Sequence, residues 1–323
     1  VPESVANEAV EEAGGGQELE TGKKRGKSAA GNAARAVSSK WASLFAVVMA
    51  LAWTTPTFGL FVTSFREQKD IQSTGWWNAW RPGFTMDNYK QVLQGAEGQP
   101  PLTDFFVNSF VIVIPAVLLP LLLASLAAYA FAWIDFPFRN ALFVAVFALQ
   151  IVPIQMALVP LLSLFSRGIT IGDTVLYEGL RGAGLFSQVW VAHTIFALPL
   201  AIFLLHNFIS EIPSDVIEAA RVDGASHGQI FFRIVVPLSL PAIASFAIFQ
   251  FLWVWNDYLV ALVLLGDQNR VITSALAAIV GEKGQDWHLL TAGAFISMML
   301  PLAVFFALQR FFVRGMMAGS VKG

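Results

Sequence analysis

FFVNSFVIVIPAVLLPLLLASLAAYAF, residues 105–131, contains no charged side chain. A helix rises 1.5 Å per residue and a bilayer's hydrocarbon core is about 30 Å thick, so about 20 such residues suffice to cross it. Five further stretches qualify by the same measure: 44–65, 141–165, 187–209, 238–265 and 289–312. With 56% hydrophobic and only 13% charged residues, the chain lies far below the roughly one-quarter charged residues of soluble domains. The expected fold class is an all-α membrane protein with six transmembrane helices. Prolines 56, 115, 120, 153, 160, 199, 241 and 301 fall inside these stretches. Spanning helices tolerate proline because neighbours and waters re-satisfy the freed carbonyls, and kinks are expected at several of them.

The two organisational segments are a disordered tail, 1–40, and a transmembrane domain, 41–323. The tail is poor in large apolar groups and cannot offset its ordering entropy by burial. It has an acidic half (Glu3 to Glu20) and a basic half (Lys23 to Lys40). The apolar run that follows is too long for a signal-peptide core and lacks a small-residue cleavage site, so it reads as a retained span. Lys24, Arg25, Lys27, Arg35 and Lys40 precede that span, against Arg66, Lys69 and Arg81 beyond it. The bias favours an internal N-terminus, and an even number of spans then returns the C-terminus to the cytoplasm. The loops 66–104, 166–186 and 266–288 fall outside, and 132–140 and 210–237 inside. Trp76, Trp77, Trp80 and Trp287 then lie outside or near the outer interface.

The internal segment ISEIPSDVIEAARVDGASHGQIFFRIVVP, residues 209–237, is long for a loop without function. Ser214 reads as an N-cap, with Asp215 and Glu218 placed favourably near a helix N-terminus. Gly224 interrupts, and an amphipathic stretch 229–236 leads into Pro237. The local reading is two short helices joined at a glycine, outside the bilayer. An ordinary solvated loop is the plain alternative.

Here the chain resembles permeases of ATP-binding-cassette (ABC) importers. Their pattern is Glu-Ala-Ala, three residues, Gly, nine residues, Ile, one residue, Leu, Pro. This sequence supplies Glu218-Ala219-Ala220, Gly224, Ile234 and Pro237 at that spacing, with Val236 where the family usually has Leu. The resemblance implies a coupling helix in the cytoplasmic loop between helices 4 and 5, docking into a separate ATPase through Glu218, Ala219, Ala220, Asp223 and Gly224. For Glu218 and Asp223, helix capping or solvation is the alternative. The end of the chain, 309–323, resembles the tail of the second permease of maltose-type, di- and oligosaccharide importers, where Arg314, Gly315 and Lys322 would lie near the ATPase. Met316, Met317 and Ser320 depart from that pattern. A snorkelling basic anchor is the other reading of Arg310 and Arg314. Asp87-Asn88-Tyr89, Asn108-Ser109, Leu198-Pro199 and Trp255-Asn256-Asp257-Tyr258 resemble the same branch.

By that resemblance the last external loop, with Gly284, Gln285, Asp286 and Trp287, contacts an extracytoplasmic sugar-binding protein; a plain hairpin fits these residues equally well. A charge within a span is by default a functional hypothesis. Asp257 lies about 28 Å along a helix beginning at 238, near the far surface of the membrane. With Trp255 and Asn256 it either lines a substrate path, offering an aromatic face and hydroxyl-binding groups, or anchors the helix at the interface.

Several chemistries are excluded or disfavoured. The chain has no cysteine, hence no thiolate nucleophile and no cysteine-held metal. Gly26-Lys27-Ser28 has the ending of a phosphate-binding loop, but Thr21 stands where its upstream glycine belongs. His193, His206, His227 and His288 have no metal-binding spacing. The expectation is therefore no catalytic residue, no metal and no bound cofactor, with ATP-Mg held by a partner. The implied partners are a second permease, two ATPase subunits, the sugar-binding protein and the lipid bilayer of a prokaryotic inner membrane, with no nucleic acid. The expected cargo is a di- or oligosaccharide, α-glucoside-like. The alternatives are an ABC permease for a non-sugar solute, or an ion-driven secondary transporter, which would call for repeated halves and midplane charges.

Overall fold

The computed structural model describes residues 40–78, 83–95, 100–171, 173–180, 185–266, 269–279 and 286–318. Residues 1–39 of the tail read from 1–40, with Trp80 and Arg81, lie outside them. The chain divides into two compact units, Val1–Thr57 and Phe58–Gly323. Helix α1, Lys40–Ser64, crosses that division. Its described residues in the first unit expose large apolar side chains such as Trp41 and Trp53.

Among the described residues, five helices are long and apolar enough to span a membrane: Lys40–Ser64, Leu102–Trp133, Phe186–Ile209, His227–Trp255 and Trp287–Gln309. The sixth is a bent pair. After α1 and a short helical turn, Gln68–Ser73, come α2 (Asp87–Gln94), α3 (Leu102–Trp133), α4 (Arg139–Ala148) and α5 (Ile154–Arg167). A hairpin of β1 (Ile169–Ile171) and β2 (Thr174–Tyr177) follows, then α6 (Leu185–Ile209) and α7 (Ser214–Val222). The rest is α8 (His227–Ile230), α9 (Val236–Trp255), α10 (Leu259–Leu265), α11 (Ile272–Ile279) and α12 (Trp287–Ala318). α3 packs along α6, and α9 packs against α3, α6 and α12.

The stretch 141–165 is not one straight helix. It turns by 102° between Arg139–Ile151 and Ile154–Arg167. Proline restricts the residue before it to extended backbone, and Val152, at φ −71° and ψ 117°, takes that conformation. The prolines at 115, 120, 160, 199, 241 and 301 remain inside unbroken helices.

The stretch 238–265 also differs from its reading as one helix. α9 stops at Trp255, and α10 begins anew at Leu259. The cause is local: the Asp257 carboxylate accepts the Val260 and Ala261 amides at 3.3 and 3.0 Å, capping the new helix. At its other end α9 is longer than expected. α8 passes through a π-helical turn, Phe231–Val235, into α9 without a break. The widened turn lies just before Pro237, whose ring would clash with the Arg233 carbonyl in an unbroken α-helix.

Two buried clusters follow from this packing. One gathers Leu102, Ile112 and Ala116 of α3 with Trp255, Ile272 and Leu289. The other gathers Ala124, Ala128 and Phe131, farther along α3, with Leu205, Ile217, Phe231 and Val235. Polar residues close the connections. Asn88 Nδ2 donates to the carbonyls of Ser64 and Arg66, both at 2.9 Å, and Tyr89 hydrogen-bonds the Ser64 hydroxyl, so α2 pins the end of α1. Asn108 donates to the Arg270 carbonyl and the Ser109 hydroxyl accepts the Ile272 amide, so the start of α3 holds the approach to α11. The 166–186 loop carries an antiparallel hairpin pairing Ile171 with Thr174, and its Ile169, Ile171, Val175 and Leu176 side chains are exposed.

Candidate functional site

The segment between α6 and α9 is built as one closed unit. α6 ends at Ile209. Pro213, extended at φ −56° and ψ 133°, stands at the N-cap of α7. Ser214 is therefore the first helical residue rather than the cap expected from sequence, and its hydroxyl turns to the Asp215 carboxylate at 3.4 Å. Proline's fixed φ sets the last extended residue one position early. Ile212 and Ile217 bracket this start in the same buried cluster, a hydrophobic staple.

The far end of α7 is a Schellman motif. The Ala225 amide reaches the Ala220 carbonyl at 3.0 Å, and the Gly224 amide reaches the Arg221 carbonyl at 3.0 Å. Gly224 takes the left-handed turn this requires, at φ +80°. A Cβ built there would meet nothing within 4 Å, so the demand within this chain is on φ and not on space. Ser226 then opens α8 with a capping box: its hydroxyl accepts the Gln229 amide, and its own amide donates to Gln229 Oε1. The sequence reading passed over this cap, although Ser-x-x-Gln after a glycine turn is its signature.

Three anchors tie the unit to the bundle. Ile217, fully buried, and Ala220 turn inward onto the ends of α3 and α6; burying one Ile side chain contributes about 1.5–3 kcal/mol. Arg221 donates to the Trp133 carbonyl at 2.8 Å, while the Trp133 indole donates to the Ile209 carbonyl at 3.2 Å. The Tyr129 hydroxyl and His227 Nδ1 are 2.9 Å apart. Neither Arg221, Tyr129 nor His227 had been singled out as an anchor from sequence, since each partner is at least 76 residues away.

The outward side of α7 presents Glu218, Ala219 and Asp223, all exposed. Val222 beside them is 87% exposed. Small, acidic and apolar side chains thus share one free face. Of the five residues expected there, Ala220 faces inward, and the other four are available to another surface.

The remaining expected residues lie elsewhere. Trp255 is 2% exposed, and its ring is enclosed by Phe106, Phe110 and Phe251. Its indole donates to the Ser297 carbonyl. Its ring is packed into the core and, with Asp257, edges only a small cavity. Asn256 is exposed, with its amide spent on the Leu252 carbonyl at 2.7 Å. Asp257, besides capping α10, lies 3.7 Å from Nε2 of His193, a side chain only 1% exposed. Asp286 accepts the Leu289 and Leu290 amides through its backbone carbonyl at the start of α12, and Trp287 is exposed. Gly284, Gln285 and Lys322 lie outside the described residues. Arg314 and Gly315 are part of α12, which runs unbroken to Ala318.

With this geometry in hand, comparison with known proteins is informative. Residues 120–318 match the family described as "Binding-protein-dependent transport system inner membrane component". The osmoprotective compounds uptake permease protein GgtD of Synechocystis sp. is 51% identical over 283 residues, covering 85% of this chain and 90% of that protein. The alpha-glucoside transport system permease protein AglG of Rhizobium meliloti is 49% identical over 244 residues, 75% of this chain and 61% of that one. A bacterial alginate ABC transporter, crystallised with a periplasmic protein bound to alginate pentasaccharide, contains a chain of similar fold. Its TM-score is 0.63 at 16% identity, over 87% of this chain and 96% of that one.

Proposed function

The chain belongs to the family of binding-protein-dependent transport system inner membrane components and is a permease of an ABC importer, and from that premise we propose that it carries an α-glucoside or oligosaccharide, with α7 as the surface gripped by an ATPase. The observation that carries the ATPase assignment is the construction of α7. It is stapled, Schellman-closed and tied inward at Ile217, Arg221 and His227, yet leaves Glu218, Ala219, Val222 and Asp223 facing out.

The mechanics follow from the connections. Partner ATPases bind and hydrolyse ATP-Mg; this chain receives their movement. A displacement of α7 passes through the Gly224 turn and the Tyr129–His227 bond into the rod His227–Trp255, whose 29 residues span about 43 Å. That rod crosses the bundle against α3, α6 and α12, so a tilt imposed at α7 reaches the break at Asn256. Alternating access is then the tilt of this rod and its counterpart in a second permease. In this arrangement both termini are cytoplasmic, the end of α12 lies toward the ATPases, and Asp286 and Trp287 face the extracytoplasmic binding protein.

The sugar assignment is supported by the α-glucoside permease at 49% identity. The permease for osmoprotective compounds at 51% identity fits the same reading, since that class includes sugars and glycosides as well as non-sugar solutes; the second reading is a non-sugar solute carried by the same machine. One experiment addresses both. The complex is purified with its second permease, ATPases and binding protein, and ATP hydrolysis is measured with α-glucosides or with glycine betaine. Stimulation by a glucoside supports the sugar reading, and stimulation by betaine alone refutes it. Replacing Glu218 and Val222 by Arg should abolish stimulation while leaving membrane insertion intact; retained stimulation would refute docking through α7.

A further inference from the structure

Several elements send polar groups to the break between α9 and α10. Asp257 caps α10 with both carboxylate oxygens, 3.3 Å from the Val260 amide and 3.0 Å from the Ala261 amide. Its backbone carbonyl accepts the Thr273 hydroxyl of α11. Nearby, the Ser109 hydroxyl of α3 accepts the Ile272 amide. His193 of α6 faces the same point, its Nε2 lying 3.7 Å from Asp257 Oδ2. Ser109, His193 and Asp257 line one small cavity of about 10 Å³. His193 and Asp257 are the only ionisable side chains among its described lining residues.

His193 is the group left out of this network. Its side chain is 1% exposed, and neither ring nitrogen has a hydrogen-bond partner. An imidazole always carries at least one N–H donor, and an unpaired buried polar group in a native fold calls for an explanation. A separation of 3.7 Å is too long for a hydrogen bond. Closing it to an ordinary N–H···O contact takes a movement of about 0.8 Å. The rod His227–Trp255 has 29 residues. Pivoting at its His227 end, a rod of about 43 Å carries its far end across that gap with a tilt of about 1°. Asp257 Oδ2 thus stands between two donors: the Ala261 amide, which it holds, and His193, which it does not reach.

We propose that His193 and Asp257 form a latch that is open in the conformation described and closes when the rod tilts during transport. His193 is then a positioning residue that holds α6 against the break in the second state. Its ring N–H donates there to the Asp257 carboxylate, a charge-assisted bond stronger than a neutral one. The donor left unpaired in one conformation finds its partner in the other. The latch rests on the tilting-rod reading of transport above and names the contact that the tilt makes. It sets a conformational preference and touches no solute, so it applies to any cargo.

The test compares His193→Leu, His193→Gln and Asp257→Asn, in the complete transporter and in the chain in detergent. H193L has no donor, whereas H193Q keeps one. This conformation makes no hydrogen bond to His193, so H193L should melt no lower than wild type. The second state loses its bond, so ATP hydrolysis by the assembled complex should slow roughly tenfold, and H193Q should recover most of the rate. The H193L/D257N double variant should be no slower than the slower single variant, because both substitutions break one pair. The chain has no cysteine, so spin labels on Val191→Cys of α6 and Leu262→Cys of α10, both exposed, report the distance across the latch. Trapping the wild-type complex with ATP and vanadate should shorten that distance; H193L should lose the shift and H193Q should restore it. Wild-type turnover in H193L overturns the proposal, as does equal slowing of H193L and H193Q. Melting of H193L below wild type with the label shift intact also overturns it, since His193 would then be bonded in this conformation through a water fixed in the cavity. A wild-type complex in which trapping moves no label refutes the tilting rod itself, a result distinct from a shift that H193L leaves unchanged.

Discussion

Gly224 offers the sharpest separation between a backbone requirement and a contact requirement. At φ +80° it closes the Schellman motif that ends α7 and aims the chain into α8. An L-residue with a Cβ held in the left-handed region costs about 1–2 kcal/mol. Asn, whose side chain can bond locally, is more tolerant there than Ala. Within this chain a new Cβ meets nothing, so the whole penalty is conformational. Gly224→Ala should therefore lower the population of the closed turn by roughly 5- to 30-fold, the equilibrium ratio that 1–2 kcal/mol represents. Gly224→Asn should recover most of it, and Gly224→Val should be worse than Ala because branching at Cβ restricts it further. The readouts are solute-stimulated ATPase of the assembled complex and thermal unfolding of the chain in detergent. Equal damage by Asn and Ala would refute the reasoning: the glycine would then serve close approach by the ATPase surface. Full activity of the Ala variant would refute the need for positive φ altogether.

Two further substitutions test the local construction. Ser226→Ala removes the capping box that starts the long rod and should cost about 1 kcal/mol, within the range for lost N-caps. Thermal unfolding of the chain in detergent checks it, and Ser226→Asp should restore most of the loss. Asp257→Ala uncaps α10 and leaves the buried His193 without its neighbour, for an expected loss of about 1–3 kcal/mol. Asp257→Asn keeps an oxygen for the amides and should lose less. Identical melting of Ala, Asn and wild-type chains would show that the carboxylate does not hold this break.

The spans were readable because hydropathy summed over 20 residues outweighs any single side chain. The breaks were not, because they depend on one residue in its surroundings. Eight prolines fall within the apolar stretches, and the chain turns sharply at Pro153. Nothing in the residue itself separates it from Pro160. Pro237 misled in the opposite sense: it reads as a boundary between a loop helix and a span, yet a π-helical turn absorbs it and the rod runs on. Asp257 was conspicuous as a lone charge. Its capping of α10 follows from the chain leaving α9 at Trp255 and starting a new helix at Leu259, which hydropathy does not register.

The site was legible to the degree that it is local. Glu218, Gly224 and their spacing are written in consecutive residues, and the φ demanded of Gly224 can be named from its type. The anchors beneath α7 join residues 76 to 98 positions apart, and only packing brings them together. The tryptophans of α9 make the same point at closer range. Trp253 and Trp255 differ by two residues, a rotation of about 200° on a helix of 3.6 residues per turn. One lines a cavity, and the other is sealed among three phenylalanines. Hydropathy and aromatic content are the same for both, so sequence could place an aromatic ring on α9 but not choose its face. That choice is made by which side α3 and α12 occupy.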